Sequence, residues 1–158
     1  MKAIIYQNYG DPSVLKLREA NKPEPTEDEL LIRIKAVEVT KTDCEMRSFK
    51  FSVKWFWIPL RMVFGIFKPR RQVLGSYFSG EVEAIGKNVT QFGIGDKVFG
   101  SSGFHLSAYA EYICLPSDAC LVKKPKELSF EQAAAMPLGG LNALHYLQRA
   151  NIQPGEKV

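Results

Sequence analysis

The chain has 158 residues, 21 basic and 17 acidic side chains, a formal charge of +4 and 46% hydrophobic residues, enough for one ordinary core and the beginning of a second unit. With 24% charged residues and twelve glycines, it is neither collagen-like nor low-complexity nor strongly disordered. Cys44, Cys114 and Cys120 are odd in number and form no C-x-x-C pair, which excludes a disulfide framework and a multi-cysteine zinc lobe and points to a reducing, cytoplasmic setting.

Lys2 to Tyr6 reads as a strand before a Gly10-Asp11-Pro12 turn, too short for the apolar core of a secretory signal. Leu30 to Val39 alternates Ile32, Ile34 and Ala36 with Arg33 and Lys35, the period of a half-buried strand.

The next segment differs in kind. Between Glu45 and Glu81 there is no acidic residue, while Arg47, Lys50, Lys54, Arg61, Lys68, Arg70 and Arg71 supply seven positive charges. The same stretch carries Trp55, Trp57, Phe49, Phe51, Phe56, Phe64 and Phe67. It is no membrane span, because Lys54 and Arg61 would be costly in hydrocarbon and the run falls short of ~20 residues. An aromatic face packed on its own domain is the reading carried forward; docking on anionic lipid or nucleic acid through 49–71 is the alternative.

Short strands resume at Gly80 to Ile85, Lys97 to Phe99, Ala108 to Cys114 and Ala119 to Val122, separated by turns such as Gly93-Ile94-Gly95-Asp96. Strands at this spacing suggest a small barrel or sandwich. Asn88-Val89-Thr90 matches a glycosylation sequon and is set aside as accidental, since no signal segment precedes it. After Pro125, Ser129 and Gln132 form a capping box, and Pro137 is expected to close that helix. A second helix follows, with Leu141, Leu144 and Leu147 on an apolar stripe ending before Asn151. Lys157-Val158 then reads as the start of a strand with no partner in the chain.

Four motifs occur in order: ELLIRIKAVEVTKTDCEMR, VLGSYFSGEVEAIGKNVTQFGIGDKVFG, AYAEYICLP, and KELSFEQAAAMPLGGLNALHYL ending in PGEKV. Together they resemble the N-terminal catalytic domain of the medium-chain dehydrogenase/reductase superfamily, in its zinc-independent quinone oxidoreductase-like branch. The resemblance implies a mainly β fold, a GroES-like partly open β-barrel with short helices over 1–124 that includes an aromatic, basic insertion at 47–72. Residues 125–158 would then be connecting helices leading into a truncated Rossmann α/β domain. It further implies a full-length homodimer whose NADPH, or NADH, is bound mainly by the missing Rossmann domain, so that the fragment alone is inactive.

Zinc members of the superfamily place a cysteine in the stretch matching Val39 to Asp43 and a His-Glu pair in the stretch matching Leu74 to Tyr77. Thr40, Ser76 and Tyr77 stand there instead, and neutral hydroxyls are poor zinc ligands, so no catalytic zinc is expected. Without a Lewis acid, a quinone or other conjugated carbonyl is a more suitable hydride acceptor than a plain ketone, because the incoming charge spreads over the conjugated system.

The resemblance assigns Thr42 and Tyr77 to catalysis, as a hydroxyl relay and a donor to the carbonyl oxygen. It places Thr40, Lys41 and Asn142 against the cofactor, with Lys41 suited to the pyrophosphate. Trp55, Trp57 and Ser76 are expected to line the substrate pocket, and no residue is assigned to a metal. Each has a plainer reading: a surface lysine at Lys41, a strand-end hydrogen bond at Thr42, cavity filling at Thr40 and Tyr77, a helix-start contact at Asn142. Asp43 is expected to anchor the following turn, and neither His105 nor His145 is proposed as a ligand. The competing function is a catalytically silent dehydrogenase-like module that binds lipid or nucleic acid through 49–71.

Overall fold

In the computed structural model, which describes residues 1–51, 57–153 and 155–156, the chain forms β1 (Lys2–Ile5), β2 (Lys16–Glu19), β3 (Glu29–Val37), α1 (Lys41–Ser48) and α2 (Trp57–Phe64). Then come β4 (Tyr77–Ile85), β5 (Lys97–Ser101), β6 (Tyr112–Pro116), β7 (Leu121–Lys123) and α3 (Phe130–Ala150). Five strands form one antiparallel sheet in the order β6-β3-β4-β5-β7. β1 and β2 pair separately and are tied to the rest by bridges from Ala3 to Ala110 and from Ile5 to Val73. The sheet is open, with β6 and β7 as its edges, in keeping with the partly open barrel expected from the sequence.

The alternation read in β3 does what it should, burying Leu30 and Ile32 and exposing Arg33. With Phe78, Val82, Val98, Ile113 and Leu115 they make the main core, which supplies the apolar burial that drives folding. A second cluster of Tyr6, Met46, Leu74, Leu106 and Tyr109 joins the N-terminal hairpin, α1 and the loop before β6. This second core positions the site.

Several boundaries differ from the sequence reading. β4 begins at Tyr77 and β6 only at Tyr112, because Ala108 and Tyr109 bond instead to the carbonyls of Gly75 and Leu74. β2 has no sequence signal, since every one of its residues is exposed. After Val39 the chain turns into α1, a helix the sequence reading did not include. Trp55 and Lys157-Val158 lie outside the described residues.

The Ser129–Gln132 capping box is present, with Ser129 Oγ accepting from Gln132 N at 3.1 Å and Gln132 Oε1 accepting from Ser129 N at 2.9 Å. Pro137, however, does not end the helix; two expected helices are one. Proline inside a helix costs a backbone hydrogen bond. That loss is offset by burial of Ala133, Ala134 and Pro137 where α3 lies on β3, β4 and β5. Ser79, fully buried beneath α3, donates to the Phe130 carbonyl at 2.6 Å, so its hydroxyl is not stranded at that contact.

Two glycines test this packing with opposite signs. A Cβ on Gly80 would lie 2.4 Å from the Arg33 carbonyl oxygen, beside the register shift between Ile34 and Ala36. One on Gly139 would meet nothing within 4 Å. Gly80→Ala should therefore destabilise by about 1–3 kcal/mol through overpacking. Gly139→Ala, in an open helical position, should stabilise by about 0.5–1 kcal/mol. Urea midpoints of the two variants measure both.

Candidate functional site

The site is built where the start of α1 meets the 74–77 segment. Thr40 caps α1: its Oγ1 accepts from Asp43 N at 3.2 Å, while Asp43 Oδ2 accepts from Thr40 N at 2.9 Å and from Thr40 Oγ1 at 2.6 Å. This reciprocal cap satisfies donors that a helix start leaves free. The other carboxylate oxygen, Oδ1, accepts the Gly75 N–H at 3.1 Å. Asp43 is buried and collects three donors, so it pins the 74–77 segment to the helix. It thus anchors the helix start that precedes it and a distant segment, and not the following turn expected from the sequence.

Two further contacts hold that segment. Ser102 is buried, its N–H bonding the Ser76 carbonyl at 2.7 Å and its hydroxyl the Gly75 carbonyl at 3.2 Å. Gly75 has φ 95°, and a Cβ there would sit 2.5 Å from the Tyr109 ring, so both the backbone angle and the close ring require glycine. The Glu38 N–H donates to the Tyr77 carbonyl at 3.0 Å, bringing the end of β3 against the start of β4.

Two polar atoms here have no partner among the described residues: the Tyr109 hydroxyl and Glu38 Oε2, both buried. Burial first, and then the neighbouring Asp43 charge, push the Tyr109 phenol above its ordinary value, so it stays protonated and keeps a proton to donate. The same two causes in the same order raise the Glu38 carboxyl. Neither residue was singled out in the sequence. Both become polar atoms without partners only through contacts between segments far apart in the chain.

Of the expected site residues, Thr40, Lys41, Thr42, Ser76 and Tyr77 gather at this junction, through the Asp43–Gly75 and Glu38–Tyr77 bonds. Lys41 and Thr42 are exposed, Ser76 and Tyr77 half-buried. Lys41 Nζ lies 3.4 Å from Glu45 and is otherwise in solvent. The Thr40 hydroxyl is spent on the cap, leaving one lone pair. Trp57 stands at the other end of α1, its ring 6.0 Å from that of Phe49, the C-cap. Asn142 is on the exposed second half of α3. His105 and His145 are both exposed.

An apolar groove of about 400 Å³ adjoins the junction, between the N-terminal hairpin and β3, lined by Ile4, Leu17, Ile34, Val37, Val39 and Tyr109 among others. The donors at the three former ligand positions do not suit zinc, for they are neutral hydroxyls and one is already committed to Asp43. Among the described residues, no three of His, Cys, Asp and Glu come together. The exposed cation of Lys41, in the first turn of a helix, suits a phosphate group of a dinucleotide.

Residues 26–126 match the family described as the alcohol dehydrogenase GroES-like domain. The quinone oxidoreductase of Pseudomonas aeruginosa is 34% identical over 158 residues, covering 99% of this chain and 44% of that protein. Among solved structures, the quinone oxidoreductase of Coxiella burnetii superposes with a TM-score of 0.80 at 36% identity, over 99% of this chain and 47% of that one. The Escherichia coli quinone oxidoreductase complexed with NADPH has a TM-score of 0.79 at 27% identity, over 99% of this chain and 43% of that one. The chain spans less than half the length of these relatives.

Asp43→Asn should lower stability by about 1–3 kcal/mol, because an amide can accept on one side only and turns its NH₂ toward the donors on the other. Denaturant titration reads this. Glu38→Gln should raise stability at neutral pH. A carboxyl whose folded pKa lies above its unfolded one costs stability once pH exceeds the raised value, and costs nothing below the ordinary carboxylate range. The difference in melting temperature between Glu38→Gln and the natural protein should therefore shrink as pH falls through about 4.

Proposed function

Because the chain belongs to the alcohol dehydrogenase GroES-like domain family, in the quinone oxidoreductase-like branch of the medium-chain dehydrogenases and reductases, we propose that the whole protein is a zinc-independent, NADPH-dependent reductase of quinones or similar conjugated carbonyls. The observation that carries this reading is the character of the junction. Hydroxyl and phenol donors stand where metal ligands would be, fixed by the Asp43 clip beside an apolar groove.

NADPH, when bound, supplies the hydride. Every other contribution here belongs to the chain. Lys41, in solvent at the head of α1, is suited to hold the pyrophosphate, with Asn142 and the methyl side of Thr40 as further cofactor contacts. The remaining cofactor contacts and a Rossmann fold are proposed for the rest of the whole protein, packed on the exposed Leu141, Leu144 and Leu147 of α3. Support for NADPH comes from the bound state of the Escherichia coli relative.

Tyr77 is the proposed donor to the substrate carbonyl oxygen as negative charge builds there, with Ser76 beside it and Thr42 relaying a replacement proton inward from solvent. Tyr109, kept protonated by burial, is a second donor facing the same junction. A conjugated acceptor needs less stabilisation at one oxygen than a plain ketone, so neutral donors of this kind suffice. Trp57 is proposed to close the apolar side of the substrate region at the far end of α1. Trp55 is proposed for the same wall.

The whole protein should oxidise NADPH in the presence of 1,4-naphthoquinone, and a chelator should leave the rate unchanged. Tyr77→Phe should lower kcat by about 10²-fold, the effect of removing one donor to a developing oxyanion, with KM for NADPH unchanged. Stopped-flow absorbance at the nicotinamide band reads both. No NADPH consumption with any quinone, or stoichiometric zinc held at Thr40, Ser76 and Tyr77, would overturn the reading.

A further inference from the structure

Helix α2 is apolar on both its sides. Phe64 turns inward onto the second core cluster, and Leu60 is half-buried. The outward side carries Ile58, Met62 and Val63, which are 66%, 63% and 61% exposed, and the chain continues into Ile66 and Phe67, the latter 88% exposed. An ordinary surface helix puts charge on its outer face. Here the helix's only cation is folded inward. The Arg61 guanidinium sits 3.9 Å from the ring centre of Phe49, 4.6 Å from that of Tyr9 and 5.0 Å from that of Trp57, and its Nη1 donates to the Ile66 carbonyl at 2.6 Å. Among the described residues, the outer face is left with no charge and no partner.

Cations border that face. Lys68, Arg70 and Arg71 follow it directly and Lys50 precedes α2, all four exposed, and no acidic residue occurs between Glu45 and Glu81. An apolar wedge edged by lysine and arginine matches the interface of an anionic bilayer, which takes aliphatic side chains at headgroup depth and draws cations to its surface. An eight-residue helix is about 12 Å long, too short to span, so it can only lie in the interface plane. No helix among the described residues is long and apolar enough to cross a membrane.

Charge and side-chain type decide against the other occupants. Single-stranded nucleic acid is bound by stacking on open aromatic rings, but the outward side chains are mainly aliphatic, and the Trp57 ring is engaged with Phe49 and Arg61. A two-fold contact with a second copy would bring two sets of Lys68, Arg70 and Arg71 to one interface with no acidic residue of that segment to pair them, and like charges gathered there oppose it.

We propose that the outer face of α2 with residues 66–71 docks the protein on an anionic lipid surface. Ile58, Met62, Val63 and Phe67 insert among the headgroups while Lys68, Arg70 and Arg71 meet lipid phosphate and carboxylate groups. This does not depend on the reductase reading, since the binding needs neither cofactor nor turnover.

Cosedimentation of the protein with phosphatidylcholine vesicles, with and without about 30% phosphatidylserine, tests it. The protein should partition onto the phosphatidylserine vesicles and stay in solution with phosphatidylcholine alone. Lys68→Gln, Arg70→Gln and Arg71→Gln together should weaken that partitioning on the order of 100-fold, at roughly fivefold per cation. Met62→Ser with Val63→Ser should weaken it independently while leaving the far-ultraviolet circular dichroism unchanged, these side chains being exposed. The proposal is overturned by failure to partition onto either vesicle, or by equal binding to both that the triple variant does not alter. Binding to a single-stranded oligonucleotide without partitioning onto phosphatidylserine vesicles, or a dimer in sedimentation equilibrium that the Met62→Ser, Val63→Ser protein lacks, would overturn it as well.

Discussion

The carboxylate of Asp43 is the contact on which the rest of the site depends. It is buried, and it takes up two donors from Thr40 and one from Gly75. A buried carboxylate is stable only when hydrogen bonds replace the water it has lost, and three donors from two segments do that here. The same bonds fix where α1 begins and where the 74–77 segment lies. The satisfaction of one charge and the geometry of the site are therefore a single requirement. Glu38 and Tyr109, packed near the same charge, feel it in their proton affinities.

Around this clip the fold divides its labour. The five-stranded sheet and its apolar core supply stiffness, and α3 lies across β3, β4 and β5. The second cluster, Tyr6, Met46, Leu74, Leu106 and Tyr109, links the hairpin, α1 and the loop before β6. Its members come from four separate stretches of chain, so the site sits where many long-range contacts converge. Phe49, which ends α1 with φ 52°, shows the cost such a junction accepts. A left-handed phenylalanine is strained, and it is held by edge-on contacts with Tyr9 at 4.9 Å and Phe51 at 5.1 Å.

What the sequence made legible was local in origin. Alternation in β3 and the Ser129–Gln132 cap follow from neighbouring residues, and both appear in the structure. β2 was hidden because a fully exposed ribbon leaves no alternation to read. Thr40 and Asp43 carry a capping pair in plain view, but an acidic N3 residue after a β-strand reads equally well as a turn. Pro137 misled for the opposite reason. Its local message is to stop, and burial against the sheet outweighs it. The ordered motifs identified the family, and Thr40, Ser76 and Tyr77 could be placed from them. Tyr109 and Glu38 could not, since their isolation arises from segments brought together only by folding.

Pro137 has a mechanical corollary. Without its amide hydrogen the Ala133 carbonyl lacks its usual rung in the ladder, and Gly139 and Gly140, both weak helix formers, follow within three residues. The inner turns are bolted to the sheet through Ala133, Ala134 and the Ser79 hydroxyl, whereas every residue from Leu141 to Ala150 stands clear of it. α3 is consequently a cantilever with its softest point at the root, and whatever rests on the free arm can tilt without disturbing the strands beneath.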